Sequence, residues 1–267
     1  MGYGLWDSMK SKNVALVLGS GGARGLAHIG AIEALEERGY TISSISGCSM
    51  GSIIAGMYAA GQLAEAKKWF LQVDKQLILR MMDINLLSHN SLVKGARIIK
   101  ELQTIVPDRP MEELNIPCSI VATDMLHTEQ VVFRSGSLFE AVRASISIPL
   151  FFEPVVLGDR LLIDGGILNP LPLDIVQRQE GDILVAVDIS GKDGLPLGKK
   201  LNFVSILDRM SDLQIQQNTL LSLRLTPPDI HAVMRQYAYT TFDFDKAEEI
   251  IAEGRKIMNE ALNVYEA

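Results

Sequence analysis

The stretch Gly47-Cys48-Ser49-Met50-Gly51 constrains this chain more than any other. It reads G-x-S-x-G and falls between a strand-like run over 40–46, carrying Ile42 and Ile45, and a helix-like run over 52–60. A strand passes directly into a helix only through a sharp turn, and flanking glycines give the backbone room to make it. Such a turn pushes its central serine into a strained, exposed position. A free serine hydroxyl is a weak nucleophile, so a chain that presents one this way is expected to perform acyl transfer. Cys48 reads as a small apolar filler, because the turn directs the serine's neighbours inward.

The rest of the chain supplies a frame for this turn. Residues 13–18 (NVALVL) form a short apolar run ending in Gly19-Ser20-Gly21-Gly22, which predicts a buried strand and a glycine loop. Further strands are predicted over 116–124, 129–133, 159–163 and 182–189. Helices are predicted over 27–38, 63–73, 137–145 with Ser137 as cap, 204–223 and 245–263. Strands alternating with helices imply an α/β fold with a largely parallel sheet, and one domain over 13–267 after a short arm at 1–12. A chain of 267 residues, 48% of them hydrophobic, has enough material for that core.

Composition excludes several classes of function. The net charge of −7 argues against a nucleic-acid role, which calls for a basic face. No apolar run approaches the roughly 18 residues a membrane span needs. Residues 1–12 lack the apolar core of a secretory signal. Cys48 and Cys118 are the only cysteines and suggest neither a disulfide framework nor a metal site. A reducing, cytoplasmic setting is expected.

The glycine loop, Gly19-Ser20-Gly21-Gly22-Ala23-Arg24-Gly25, opens a helix directly after a strand. Helix N-termini present unpaired N–H groups, and glycines let a ligand oxygen approach them. A Walker A loop needs Lys and Ser/Thr after the last glycine, whereas Leu26 follows Gly25. A dinucleotide fingerprint needs glycine at the sixth position, which is Arg24, and an acidic residue ending the next strand, where Ser46 and Gly47 stand. An oxyanion hole built from the N–H groups of Gly21, Gly22 and Ala23 survives these tests, beside the plainer reading of a tight turn.

A base is needed next. Of His28, His89, His127 and His231, only His231 has the chain order of a Ser–Asp–His triad, and no local signature supports it. Asp164 is the better candidate. It ends a predicted strand and precedes Gly165-Gly166, so its carboxylate can lie at the carboxyl edge of the sheet, where the elbow presents Ser49. Partial burial there would raise its pKa toward that of a useful base. Taken alone, Asp164-Gly165 also reads as an ordinary turn.

Together, G-S-G-G-A-R-G, G-C-S-M-G and D-G-G resemble the motifs of the patatin-like phospholipases. Arg143-Ala144-Ser145-Ile146-Ser147-Ile148-Pro149 is similar to that family's R-A-S-x-x-x-P block, and residues 164–172 to its D-G-G-x-x-x-N-x-P block. The resemblance covers residues 19–172 in four ordered blocks, and is only general from Gly181 onward. It implies a three-layer α/β/α fold with a mostly parallel sheet and a Ser–Asp dyad without histidine. Ser49 would be the nucleophile, Asp164 the general base, and Gly21, Gly22 and Ala23 the oxyanion loop. Arg24 takes the family's basic position there, either steadying the loop or meeting a lipid phosphate. Cys48 departs mildly from the usual Thr or Ala.

The expected substrate is a lipid or other fatty-acyl ester, with no cofactor and no metal. Residues 77–87, rich in Met and Leu, read either as a cap touching lipid or as ordinary packing. Residues 220–228 read as a second rim, and peripheral, reversible membrane contact follows as an expectation. A short-chain esterase or thioesterase, and a lipid-sensing regulatory protein of low turnover, are the competing expectations.

Overall fold

Five of the six residues of β1 (Asn13–Leu18), all seven of β3 (Cys118–Asp124) and all nine of β7 (Ile183–Gly191) are buried. Strands buried on both faces need cover on both faces, and the computed structural model supplies it. It describes residues 12–73, 77, 96–149, 151–192 and 203–267. The arm expected at 1–12 and the Met-rich stretch at 77–87 therefore lie outside the described residues, apart from Lys12 and Leu77. His89 lies outside them too.

The alternation of side chains along β1 sorts the core into two layers. Val14, Leu16 and Leu18 pack with α1 (Ala27–Glu37), α2 (Met50–Ala59) and α7 (Ala247–Glu266). Ala15 and Val17 face the other way, onto Leu171, Leu173 and Leu223 of α6 (Phe203–Leu225). The result is the three-layer α/β/α arrangement expected. The helices α3 (Leu63–Phe70), α4 (Ala96–Ile105) and α5 (Leu138–Ser145) join the first layer. As expected, Ser137 caps α5, its hydroxyl accepting from the Glu140 N–H at 3.0 Å.

The sheet has eight strands, and four of its seven pairings are parallel. Those four join β2 (Thr41–Cys48), β1, β7, β8 (Ile230–Arg235) and β3. The antiparallel pairings gather around β3 and bring in β4 (Glu129–Phe133), β5 (Val155–Leu157) and β6 (Arg160–Asp164). β4 occupies one edge of β3 over Ile120 to Asp124. On the other edge β2 pairs with Cys118 to Val121, and β6 takes over at Ala122. Since β2 runs parallel to β3 and β6 antiparallel, the two strands meet end to end. Cys48 pairs with Val121 and Asp164 with the next residue, Ala122.

Close helix packing holds the outer layer. A β-carbon on Gly254 would sit 1.9 Å from the Ala27 carbonyl oxygen, and one on Gly30 equally close to the Ile251 carbonyl oxygen. No rotamer relieves a clash with backbone. Gly254→Ala is expected to separate α1 from α7 and cost about 3 kcal/mol. A urea titration checks this: the midpoint should fall with its slope unchanged.

Candidate active site

Ser49 occupies the N-cap position of α2 at φ 54°, ψ −122°, a region that few side-chain-bearing residues enter. The surroundings leave the turn little choice. A β-carbon on Gly51 would lie 2.3 Å from the Leu18 carbonyl oxygen, so the helix can start against β1 only with glycine there. The Ser49 N–H donates to the buried Ser145 hydroxyl at 2.9 Å, and the Ser52 hydroxyl donates to the Ser49 carbonyl at 2.6 Å. Both bonds fix the turn from outside its own residues.

The meeting of β2 and β6 brings Asp164 to this turn. The Ser49 hydroxyl donates to Asp164 Oδ2 at 2.6 Å, and the Gly166 N–H donates to Asp164 Oδ1 at 2.7 Å. α6 holds the turn after Asp164, as Gln214 and Asn218 each donate to the Ile167 carbonyl at 2.8 Å. Ser49 is only 3% exposed and Asp164 only 5%. The serine expected to lie exposed is instead buried at the floor of two cavities, because elements distant in sequence cover it. Burial raises the Asp164 pKa from its ordinary value to about 6, against the lowering pull of the Ser49 and Gly166 hydrogen bonds.

The glycine loop lies alongside. Its first residues are tied to the sheet and to the segment after Asp164: the Gly19 N–H donates to Val187 O at 3.0 Å and the Ser20 N–H to Pro170 O at 2.8 Å. Ala23, expected among the oxyanion donors, does not have a free N–H. It donates to the Thr241 carbonyl at 2.9 Å, a partner that the local sequence gives no hint of. The N–H groups of Gly21, Gly22 and Met50 have no such partner among the described residues. Met50 adds the first N–H of α2, at the positive end of the helix dipole. Arg24 is buried and donates to the Tyr239 carbonyl at 3.2 Å while lining the cavity beside Asp164.

Two cavities converge on Ser49. One is apolar, running past Ile53, Trp69, Phe70, Val73 and Leu102. The other is more polar and includes Ser20, Arg24, Asp164, Ser211 and Asp212. Gly22, Ser49, Ile148, Thr241 and Phe242 border both.

The other candidates lie apart from this junction. Burial raises the Cys48 thiol well above its ordinary pKa and pushes the Cys118 thiol up to about 12, so neither is a ready thiolate. His28 is buried, hydrogen-bonds to Gly19 O at 2.8 Å, and is held neutral by burial, which lowers its pKa to about 4. His127 pairs with Asp124 at 2.7 Å. His231 lies on β8 with its Nε2 3.6 Å from Asp188 Oδ2. Among the described residues, no histidine hydrogen-bonds to Ser49 or Asp164.

Fold and turn together define a three-layer α/β/α protein built around a strained serine at a strand–helix junction. A family model described as patatin-like phospholipase matches residues 16–176, and the chain belongs to that family. An uncharacterized NTE family protein of Mycobacterium tuberculosis is 44% identical over 186 residues, which is 70% of this chain and 51% of that protein. Human patatin-like phospholipase domain-containing protein 6 is 31% identical over 192 residues, covering 69% of this chain and 14% of that protein. The chain thus spans about half the length of the mycobacterial relative and far less of the human one. The crystal structure of VipD from Legionella pneumophila shares the fold at a TM-score of 0.50 and 16% identity, covering 96% of this chain and 67% of that chain.

Proposed function

We propose that the chain is a serine lipid acyl hydrolase, with Ser49 as nucleophile and Asp164 as general base. The observation that carries this reading is the 2.6 Å hydrogen bond between a strained, buried serine and a carboxylate whose pKa burial has raised. Asp164 accepts the hydroxyl proton as Ser49 Oγ bonds to the ester carbonyl carbon. The carbonyl oxygen becomes an oxyanion held by the N–H groups of Gly21, Gly22 and Met50, each well-placed donor worth on the order of 3 kcal/mol. Collapse breaks the bond to the alcohol oxygen, which leaves with the proton from Asp164. Water then gives its proton to Asp164 as it attacks the acyl-enzyme, and the fatty acid departs as the proton returns to Ser49. Residues 13–267 act as one domain in this scheme.

The apolar cavity suits the acyl chain and the polar one the alcohol or headgroup. Arg24 steadies the glycine loop through Tyr239. Among the described residues no helix is long and apolar enough to cross a membrane. Ile206, Met210, Leu213, Leu221 and Leu225 on α6 are exposed, and Ser211, Asp212 and Ile215 of the same helix line the polar cavity. This arrangement supports reversible contact with a lipid surface beside the site.

The reading is tested by hydrolysis of p-nitrophenyl esters from butyrate to palmitate, alongside fatty-acid release from phosphatidylcholine and lysophosphatidylcholine. Medium or long acyl chains should be preferred and fatty acid released from lipid. Activity confined to the shortest esters would replace this reading with a short-chain esterase. Only the ionised carboxylate can take the serine proton. For the free enzyme kcat/KM should therefore fall about tenfold per pH unit below about 6 and level off above it. A pH–rate profile between pH 4.5 and 8.5 checks this.

A further inference from the structure

Residues 236–246, between β8 and α7, lie beyond the stretch that the family model matches, yet they wall the candidate site. Thr241 takes the Ala23 N–H on its carbonyl, and Tyr239 takes an Arg24 N–H on its own. A β-carbon added to Gly22 would lie 2.5 Å from Thr241 Cγ2, so this segment, a strap over residues 236–246, directly contacts the glycine loop. The strap also has an internal brace. Asp243 accepts from the Thr240 N–H at 3.0 Å, from the Thr240 hydroxyl at 2.7 Å and from Lys246 Nζ at 3.0 Å. Its tip is therefore held in place.

That tip carries Phe242. Its ring centroid is 5.1 Å from that of Phe151, with the planes at 58°, an arrangement aromatic pairs favour. Phe151 borders only the polar cavity and Phe244 only the apolar one, whereas Phe242 borders both. The ring is 37% exposed and stands where the two cavities border one another, beside Ile148 and Thr241.

From this placement we infer that Phe242 is a specificity-determining residue, which directs the acyl chain into the apolar cavity and excludes it from the polar one. The inference rests on the ester hydrolysis proposed above. The reacting carbonyl must lie at Ser49, where the cavities join. The carbons next to it then pass the residues that border both spaces, among which Phe242 has the largest apolar side chain. With the ring in place a long chain has one apolar path. Without it the chain can also enter the polar side, where the carbonyl is misaligned, and a short acyl group has too little length to exploit the gap.

The test is a comparison of p-nitrophenyl decanoate with p-nitrophenyl butyrate in wild type, Phe242→Ala and Phe242→Leu. The leaving group is constant, so the ratio of the two kcat/KM values isolates acyl recognition, and any inactive fraction cancels. Phe242→Ala should lower the decanoate-to-butyrate ratio about tenfold, the scale on which an apolar pocket discriminates chain length. Phe242→Leu should restore most of it. A Phe242→Ala enzyme that slows on both esters by one common factor would overturn the inference and leave the hydrolase reading standing. A wild-type protein that hydrolyses neither ester and takes no fluorophosphonate on Ser49 would overturn the hydrolase reading, and the Phe242 assignment with it.

Discussion

Ser49→Ala is expected to reduce ester turnover by roughly 10⁵-fold or more, the scale seen when a hydrolase loses its nucleophile. The change removes one oxygen from a buried junction between cavities, so no new atom is introduced. The hydrogen bonds that shape the turn survive, because they use the Ser49 main chain: its N–H to Ser145 and its carbonyl from Ser52. The fold should therefore persist, and circular dichroism and the urea midpoint should stay near wild type. Residual activity would come from the oxyanion donors and substrate positioning alone.

Asp164→Asn should lower turnover by about 10²- to 10⁴-fold, the usual contribution of a positioned general base. Asparagine has the same shape. Its carbonyl oxygen can still accept from the Gly166 N–H, and its amide can donate to the Ser49 oxygen, but it cannot take a proton. The same change should not destabilise the protein. The folded carboxyl titrates near 6, above its ordinary 3.8, so the folded state holds the proton more tightly than the unfolded chain does. Stability is consequently lost as pH rises through the interval between those values, by about 3 kcal/mol at most. The neutral amide avoids that loss. The thermal midpoint of Asp164→Asn should match or exceed wild type at pH 8, and most of the advantage should be gone by pH 4. His231→Ala, on β8 beside Asp188, should leave turnover nearly unchanged. Turnover lost with His231→Ala and kept with Asp164→Asn would reverse the assignment of the base.

Local chemistry made much of this legible in sequence. The glycines around Ser49 announce the turn because only they tolerate the carbonyls packed against it. β1 and β4 have the limits their apolar runs predict, and Ser137 caps its helix. The run predicted at 159–163 is shifted by one residue, which makes Asp164 the last residue of β6. What stayed hidden depends on distant partners. The sequence places Asp164 at the carboxyl edge of the sheet, but nothing in its neighbourhood shows that an antiparallel strand carries it to the end of β2. β8 is only six residues long and half exposed in alternation, too short a pattern to separate from a loop. The strap is invisible for the same reason: Tyr239 and Arg24 are 215 positions apart, and neither segment encodes the other. That distance also explains the error at Ala23, a residue placed correctly in the glycine loop whose N–H goes to the strap.

The nucleophile is tested most directly by treating the intact chain with a fluorophosphonate and mapping the adduct by peptide mass spectrometry. A single phosphonyl group on Ser49, formed in step with loss of esterase activity and formed far more slowly in Asp164→Asn, is the expected result. Complete loss of activity with the adduct on another residue, and Ser49 unmodified, would contradict it.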